Sequence, residues 1–264
     1  MFFKLIAFCG CLFFGLEAEE MARLRWGDTL EILNYVKPYL PSDPIIVEAG
    51  AYDGRESAQI AQFWPAGKLY AFEPVPELYQ KLVANTEKHF NVKSFQKAVS
   101  DANGSALFYL SVDQSDKEHI SCSSSLLEPK AHLDYAPYVH FPSAIHVETV
   151  TFDEWAKQQN IDHLDFLWLD MQGCELKALK ASELAKKARA IWTEIEFVEA
   201  YKGQDLYKET LDWMQANGFK LIASNIDVEQ PNYWFGDALF VKEPSSQLGW
   251  VERALEWIGW NGKK

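Results

Sequence analysis

Short apolar runs alternate with amphipathic stretches of helical length along most of this chain, and that alternation constrains the fold more than any other feature. Runs at 44–48, 68–73, 92–99, 165–170, 190–196, 219–223 and 238–242 read as strands. Residues 56–63, 76–88, 175–182 and 207–217 carry helical spacing, and 28–37 reads as an earlier short helix stopped by Pro38 and Pro41. Strands separated by helices are joined by crossovers and so lie parallel, and such crossovers are almost always right-handed. The expectation is an α/β fold with a Rossmann-like, doubly wound, mostly parallel sheet. The last two runs have no helix between them, which makes the closing strand antiparallel. Residues 104–110 look like an added hairpin arm, whereas 111–146, polar and punctuated by Ser and Pro, resist assignment.

The two ends read differently from the middle. After Lys4, residues 5–16 hold nothing more polar than Cys, and Glu17 closes the run. Twelve residues match a signal-peptide core and fall short of the roughly 20 needed to span a bilayer. The chain therefore divides into a leader (1–18), an N-terminal helical segment (19–43), the α/β domain (44–243) and an amphipathic C-terminal helix (244–264) bearing Trp250, Ala254 and Trp257. The leader implies export or membrane association, with a cytoplasmic location as the alternative; Leu16 suits a cleavage site after Ala18 badly, which favours an uncleaved leader.

Composition removes several function classes. Twenty-five Lys and Arg against 38 Asp and Glu give −13, a field that repels phosphate backbones and excludes a nucleic-acid partner. Four Cys without a Cys-x-x-Cys pair exclude a disulfide scaffold and a zinc ribbon.

In an open α/β sheet the ligand lies beyond the carboxyl ends of the strands. After the first strand come Glu48-Ala49-Gly50-Ala51-Tyr52-Asp53-Gly54, where Gly50 permits a tight turn and Gly54 a close helix. Tyr52 and Asp53 occupy positions where a dinucleotide pyrophosphate would need glycine, so a cationic or uncharged ligand fits better. Glu73 ends the second strand, placed to accept hydrogen bonds from two ribose hydroxyls. In 165–175, alternation sets Phe166, Trp168 and Asp170 on one face, with Asp170 at the carboxyl end. Glu175 suits either a helix start or the site. Glu194 and Glu196 share one face of the fifth strand. His119, His132, His140 and His146 crowd the irregular region and read mainly as solvated, and the run 121–125 reads equally as loop or substrate contact.

The ordered set IIVEAGAYDG (45–54), LYAFEP (69–74), KAVSD (97–101), SSSL (123–126), VTFDEW (150–155), DFLWLDMQGCE (165–175) and TEIEF (193–197) resembles the FkbM family of S-adenosylmethionine-dependent methyltransferases. The resemblance implies a class I methyltransferase fold, seven-stranded with an antiparallel last strand, and S-adenosylmethionine as cofactor. It maps cofactor binding onto Glu48, Gly50, Gly54 and Glu73, with Ser100 and Asp101 in the KAVSD motif. Tyr52 or Trp168 could face the sulfonium as a cation–π partner. It implies methyl transfer to a hydroxyl of a small molecule, sugar or lipid, with Asp170, Glu194 and Glu196 as the acid–base candidates. Asp170 and Glu194 would also suit Mg²⁺, though the reaction requires no metal. Where family members usually carry Lys-Ile-Asp-Val-Glu-Gly, this chain has Trp168-Leu169-Asp170-Met171-Gln172-Gly173, and that departure keeps open a non-catalytic binding module on the same fold.

Overall fold

The computed structural model describes residues 21–114 and 116–242, so the leader and the C-terminal helix read from the sequence lie outside the described residues. In chain order the strands are β1 (Ala22–Arg23), β2 (Ile45–Ala49), β3 (Lys68–Phe72), β4 (Val92–Phe95), β5 (Ala98–Val99), β6 (Gly104–Asp113), β7 (Asp116–Ile120), β8 (Val139–Val150), β9 (Phe166–Leu169), β10 (Ala190–Glu196), β11 (Phe219–Ser224) and β12 (Phe235–Lys242). The helices are α1 (Thr29–Val36), α2 (Arg55–Phe63), α3 (Pro76–Thr86), α4 (His132–Tyr135), α5 (Phe152–Gln159), α6 (Glu175–Lys180) and α7 (Tyr207–Ala216).

The main sheet runs β1-β11-β12-β10-β9-β2-β3-β4. β2 pairs in parallel with both β3 and β9, so the chain winds outward in both directions from β2. β12 lies antiparallel between β10 and β11, as the missing helix requires. The seven expected strands are present, and β1 adds an eighth, two residues long, at the β11 edge.

Strand alternation sorts the two cores. Ile46, Phe166, Trp168 and Trp192 pack beneath α1 and α2 with Trp64. Val47, Leu167, Leu169 and Ile191 face the other side with Phe152, Trp155, Leu176 and Met214 of α5, α6 and α7. Each such side chain taken from water contributes about 1.5–3 kcal/mol. α1 starts where Asp28 Oδ1 accepts from the Glu31 N–H at 3.0 Å, and α5 where the Thr151 hydroxyl accepts from Glu154 at 3.2 Å.

The expected strand at 92–99 is two strands. β4 ends at Phe95 in the main sheet, and after Gln96-Lys97 the chain enters a second, four-stranded sheet of order β5-β8-β6-β7. The arm at 104–110 is the long antiparallel pair β6–β8, and it leaves 121–138 as a connection that wraps back over the carboxyl edge of the main sheet. Among the described residues no helix is long and apolar enough to cross a membrane.

Candidate active site

A cleft holding about 590 Å³ of empty space, the solvent at its mouth included, opens at the carboxyl ends of β2, β3 and β9, walled on one side by the second sheet and the segment that follows β7. Gly50, Tyr52, Glu73 and Asp170 line it, as do Val75, Leu78, Lys97, Phe108, Ser121, Cys122, Ser124 and Gln172.

Its floor depends on Gly50. At φ +89° a Cβ there would stand 1.7 Å from the Asp170 carbonyl oxygen, so only glycine lets β2 and β9 meet at this level. The turn then folds back on β3, with the N–H groups of Gly50 and Ala51 both donating to the Phe72 carbonyl at 3.1 and 2.9 Å. Tyr52, also left-handed at φ +48°, donates its N–H to Glu73 Oε2 at 3.0 Å, and its hydroxyl donates to the Ile120 carbonyl at 2.9 Å. Glu73 Oε1 accepts from the Val75 N–H at 2.8 Å. Burial raises the Glu73 pKa to about 8 against the pull of those two donors.

Asp170 opens into the concavity, ringed by protein, and loss of water around it raises its pKa. Gln172, at φ +54°, donates its amide N–H to Asp170 Oδ1 at 2.7 Å and to Glu194 Oε2 at 3.0 Å. The Tyr201 hydroxyl donates to Gln172 Oε1 at 2.9 Å, sharing its proton with the Ser123 carbonyl at 2.8 Å. Ser125 Oγ holds the Gln172 carbonyl at 2.8 Å.

Acidic groups extend beneath this floor. Glu175 accepts from the N–H groups of Met171 and Gly173 and so both caps the turn and meets the site. One ligand oxygen each from Asp170, Glu175 and Glu194 fall within 4.8 Å of one another, a spacing that could hold a hard cation. Burial, followed by mutual repulsion, raises Glu194 well above its ordinary range and Glu175 and Asp237 to about 8. None of the ion pairs among the described residues involves these groups. A cation on the ligand favours the ionised form of these acids, so its binding is linked to release of the protons they hold when the site is empty.

Several residues expected at the site stand elsewhere. Glu48 is buried behind the turn, where it accepts from the Ser57 hydroxyl of α2 at 2.5 Å. Gly54 caps α2, and its missing side chain lets Leu82 of α3 approach to 2.8 Å from an ideal Cβ; its close neighbour is α3 and not the strand. Ser100 and Asp101 follow β5, beside β8, and do not line the cleft, because the break after Phe95 carries them into the second sheet. Trp168 offers no ring face to the cleft: it packs on Phe166 and Trp192. Glu194 reaches the cleft through Gln172, and Glu196 is turned to Gln204. His132 is buried among Phe141, Tyr201 and Trp234, while His140 and His146 are exposed. Sequence reasoning missed Tyr201 and the bridging role of Gln172; the Ser-rich run at 121–125 was its one hint of the cleft wall.

A sheet wound outward from β2, with an antiparallel strand inserted next to its far edge, a glycine turn against Asp170 and an acid ending β3, defines a class I S-adenosylmethionine-dependent methyltransferase. Residues 48–221 match the family model described as the methyltransferase FkbM domain. The chain belongs to the FkbM methyltransferase family. It is 32% identical over 182 residues to the 2-O-methyltransferase NoeI of Sinorhizobium fredii, covering 69% of this chain and 74% of that protein. It is 25% identical over 210 residues to the methyltransferase sdnD of Sordaria araneosa, covering 66% of this chain and 78% of that protein. The solved magnesium protoporphyrin IX methyltransferase of Synechocystis, with bound cofactor, aligns at a TM-score of 0.45 and 9% identity over 81% of this chain and 78% of that one, too loosely to add to the argument.

Proposed function

We propose that this enzyme methylates a hydroxyl oxygen of a small molecule, sugar or lipid, with Asp170 as the group that takes the hydroxyl proton. The observation that carries the reading is the position of Asp170: it lines the cofactor cleft, and its carboxylate is held by the Gln172 amide at 2.7 Å. The relative NoeI is a 2-O-methyltransferase, which supports an oxygen acceptor.

S-adenosylmethionine supplies an electrophilic methyl group on a sulfonium centre. The residues present fit it. Glu73 retains free lone pairs on both carboxylate oxygens for the ribose hydroxyls, Gly50 clears the floor, and the unpaired acids favour the cationic end. Tyr52 lines the same wall, anchored through its hydroxyl. An in-line displacement gains most from alignment, and the rigid floor of β2 and β9 provides a fixed frame for it. Asp170, with its pKa raised, is a stronger base than a solvated carboxylate and can accept the acceptor's proton, while the Gln172 amide steadies the ionised form.

The same proposal sets the enzyme at a membrane through residues 1–18 rather than exporting it, since its methyl donor is made in the cytosol. Leu16, a poor fit three residues before a cut after Ala18, supports an uncleaved leader and so that placement. The activity test is methyl transfer from labelled S-adenosylmethionine to a panel of neutral polyols, glycosides and lipid alcohols. Cofactor binding without transfer to any hydroxyl acceptor, or transfer only to amines, would overturn the oxygen assignment. Recovery of the full chain in the soluble fraction would overturn the membrane placement.

A further inference from the structure

Exposed aromatic rings gather at one place on the surface. Trp26 is 45% exposed, Tyr135 51% and Tyr233 56%, and they are joined through the half-buried rings of Trp234 and Phe235. Trp26 meets Tyr233 at 5.8 Å and Phe235 at 5.4 Å, while Trp234 meets Phe235 at 4.6 Å and Tyr135 at 5.8 Å. Their planes are turned against one another by 32–76°, so the ridge offers separate facets and not one flat apolar sheet. Rings held in water in this way, with polar groups around them, mark a surface that takes a ligand.

The ridge lies at the carboxyl edge of the main sheet, where the cleft opens. Phe235 begins β12 opposite Glu196, the last residue of β10. Trp26 follows β1, which pairs with the end of β11 through Arg23 and Ser224, and Tyr135 ends α4 in the connection that crosses this edge. A row of acids leads from the proposed base to the rings. Leu169 is in register with Thr193, so Asp170 and Glu194 stand side by side, and Glu194 pairs with Asp237 of β12. Phe235 shares a face with Asp237, and strand spacing and rise set it roughly 12 Å from Asp170. Asp170 and Asp237 both keep contact with solvent. A second link runs through side chains: Trp234 packs on His132 and His132 on Tyr201, each at 5.3 Å, and the Tyr201 hydroxyl donates to Gln172, which holds Asp170.

The chemistry of the ridge selects its occupant. Arg25 and Lys130, which precede Trp26 and Tyr135 in the chain, are already held by Asp28 and Glu31 and by Glu199, and with Asp134 and Asp237 close by an anionic ligand is disfavoured. Ring faces take up apolar C–H groups, and carboxylates beside them accept from hydroxyls, a combination that suits a neutral sugar. The separation between Phe235 and Asp170 exceeds one sugar ring. We propose that the ridge is a subsite for a neutral oligosaccharide, which lies along the rings and extends its terminal sugar past Asp237 and Glu194 to present a hydroxyl to Asp170. The inference rests on the hydroxyl-acceptor reading above and deepens it: the acceptor is a sugar oligomer, and neither a single sugar nor a lipid. The walls of the cleft then select the reacting sugar, and the ridge selects the chain behind it.

The full chain is titrated by calorimetry with the methyl glycosides of glucose, mannose, xylose and N-acetylglucosamine and with linear tetrasaccharides of the same sugars. Methyl transfer from labelled S-adenosylmethionine to each is measured alongside. At least one tetrasaccharide is expected to bind about tenfold or more tighter than its methyl glycoside, with a KM lower by the same factor. The double variant Trp26→Ala/Tyr233→Ala removes that gain and leaves kcat, the affinity for S-adenosylmethionine and the binding of methyl glycosides unchanged. Tyr233→Ala alone, at the most exposed of the rings, gives part of the same loss and serves should the double variant unfold. Equal binding of short and long sugars by the unmodified chain, or a gain unaltered in both variants, would overturn the ridge while the hydroxyl reading stands. Length-dependent binding that the variants lose, without methyl transfer to any sugar, would sustain the ridge and remove the hydroxyl reading. Tighter binding of spermidine than of any tetrasaccharide, lost in the variants, would overturn the proposal in favour of a cationic occupant. A folded double variant with a lowered melting temperature, and no sugar bound by the unmodified chain, would overturn it by showing the rings covered from within the protein.

Discussion

The Tyr201 hydroxyl stands 2.9 Å from Gln172 Oε1, and that one contact fixes which way the Gln172 amide points. With its oxygen turned to Tyr201, the amide nitrogen faces Asp170 and Glu194 and donates to both. Two carboxylates that would otherwise repel are bridged by a neutral group. Replacing Gln172 with Leu removes the donor that favours the ionised form of Asp170, so the Asp170 pKa rises further. The acid limb of the pH–rate profile is expected to move to higher pH, with turnover at neutral pH lower by about tenfold or more. Tyr201→Phe should act in the same direction more weakly, since the amide loses one hydrogen bond worth about 1 kcal/mol. An unmoved profile in both variants would show that the bridge does not bear on the base.

Asp170→Asn keeps the shape of the floor and removes the proton acceptor. Turnover should fall by about 10²–10⁴-fold while cofactor affinity, read by calorimetry, stays nearly constant. A parallel loss of cofactor affinity would reassign Asp170 to holding the sulfonium end.

Glu73→Ala deprives the ribose hydroxyls of their acceptor and leaves the Tyr52 and Val75 N–H groups without partners. Cofactor binding should weaken by about 1–3 kcal/mol. A folded variant that binds with full affinity would remove Glu73 from the site.

Gly50→Ala places a methyl group where the Asp170 carbonyl already lies, in a left-handed conformation that disfavours any side chain. β2 and β9 must separate at their carboxyl ends to accept it. A stability loss of about 3 kcal/mol or more is expected in denaturant unfolding, together with loss of cofactor binding.

The buried acids make stability depend on pH in an unusual sense. Glu48, Glu73, Glu175 and Asp237 titrate near 8 in the folded protein, against 4.5 or 3.8 for the ordinary side chains. Between those limits the folded state holds protons that the unfolded chain has released, so stability falls as pH rises. The ligand-free enzyme should melt at a higher temperature at pH 5 than at pH 8, with a shift of about 2–4 °C for each kcal/mol lost. A cationic ligand should recover part of the loss at pH 8. A melting temperature that climbs over the same interval would contradict the buried placement of these groups.

The main sheet was legible because its strands are fully buried and its helices one-sided, so each announces its period. The β4–β5 break was not, since 92–99 keeps a strand composition throughout and only the competition of two sheets for its hydrogen bonds divides it. Gly50, Glu73 and Asp170 could be found as residues ending strands at the carboxyl edge. Glu48 misled because a carboxylate next to a glycine turn looks the same in sequence whether it faces the ligand or the helix behind. Tyr201 carries no local signal; it reaches Gln172 from a loop 29 positions away. Trp168 shows how the departure from the family pattern is absorbed, with an indole ring packed on Trp192 where a lysine is usual.

The division of labour between the two sheets has a consequence for how the enzyme can diversify. The second sheet joins the main one through Gln96-Lys97 on entry and Thr151 on exit, and between these points it supplies Phe108 and the cleft-wall residues Ser121, Cys122 and Ser124. The cleft residues supplied by the main sheet, Gly50, Glu73 and Asp170, lie outside that insertion. Changes in the insertion can thus alter what is methylated while the donor-binding frame is inherited intact, and shuffling residues 96–151 between relatives is the natural unit for exchanging acceptor preference.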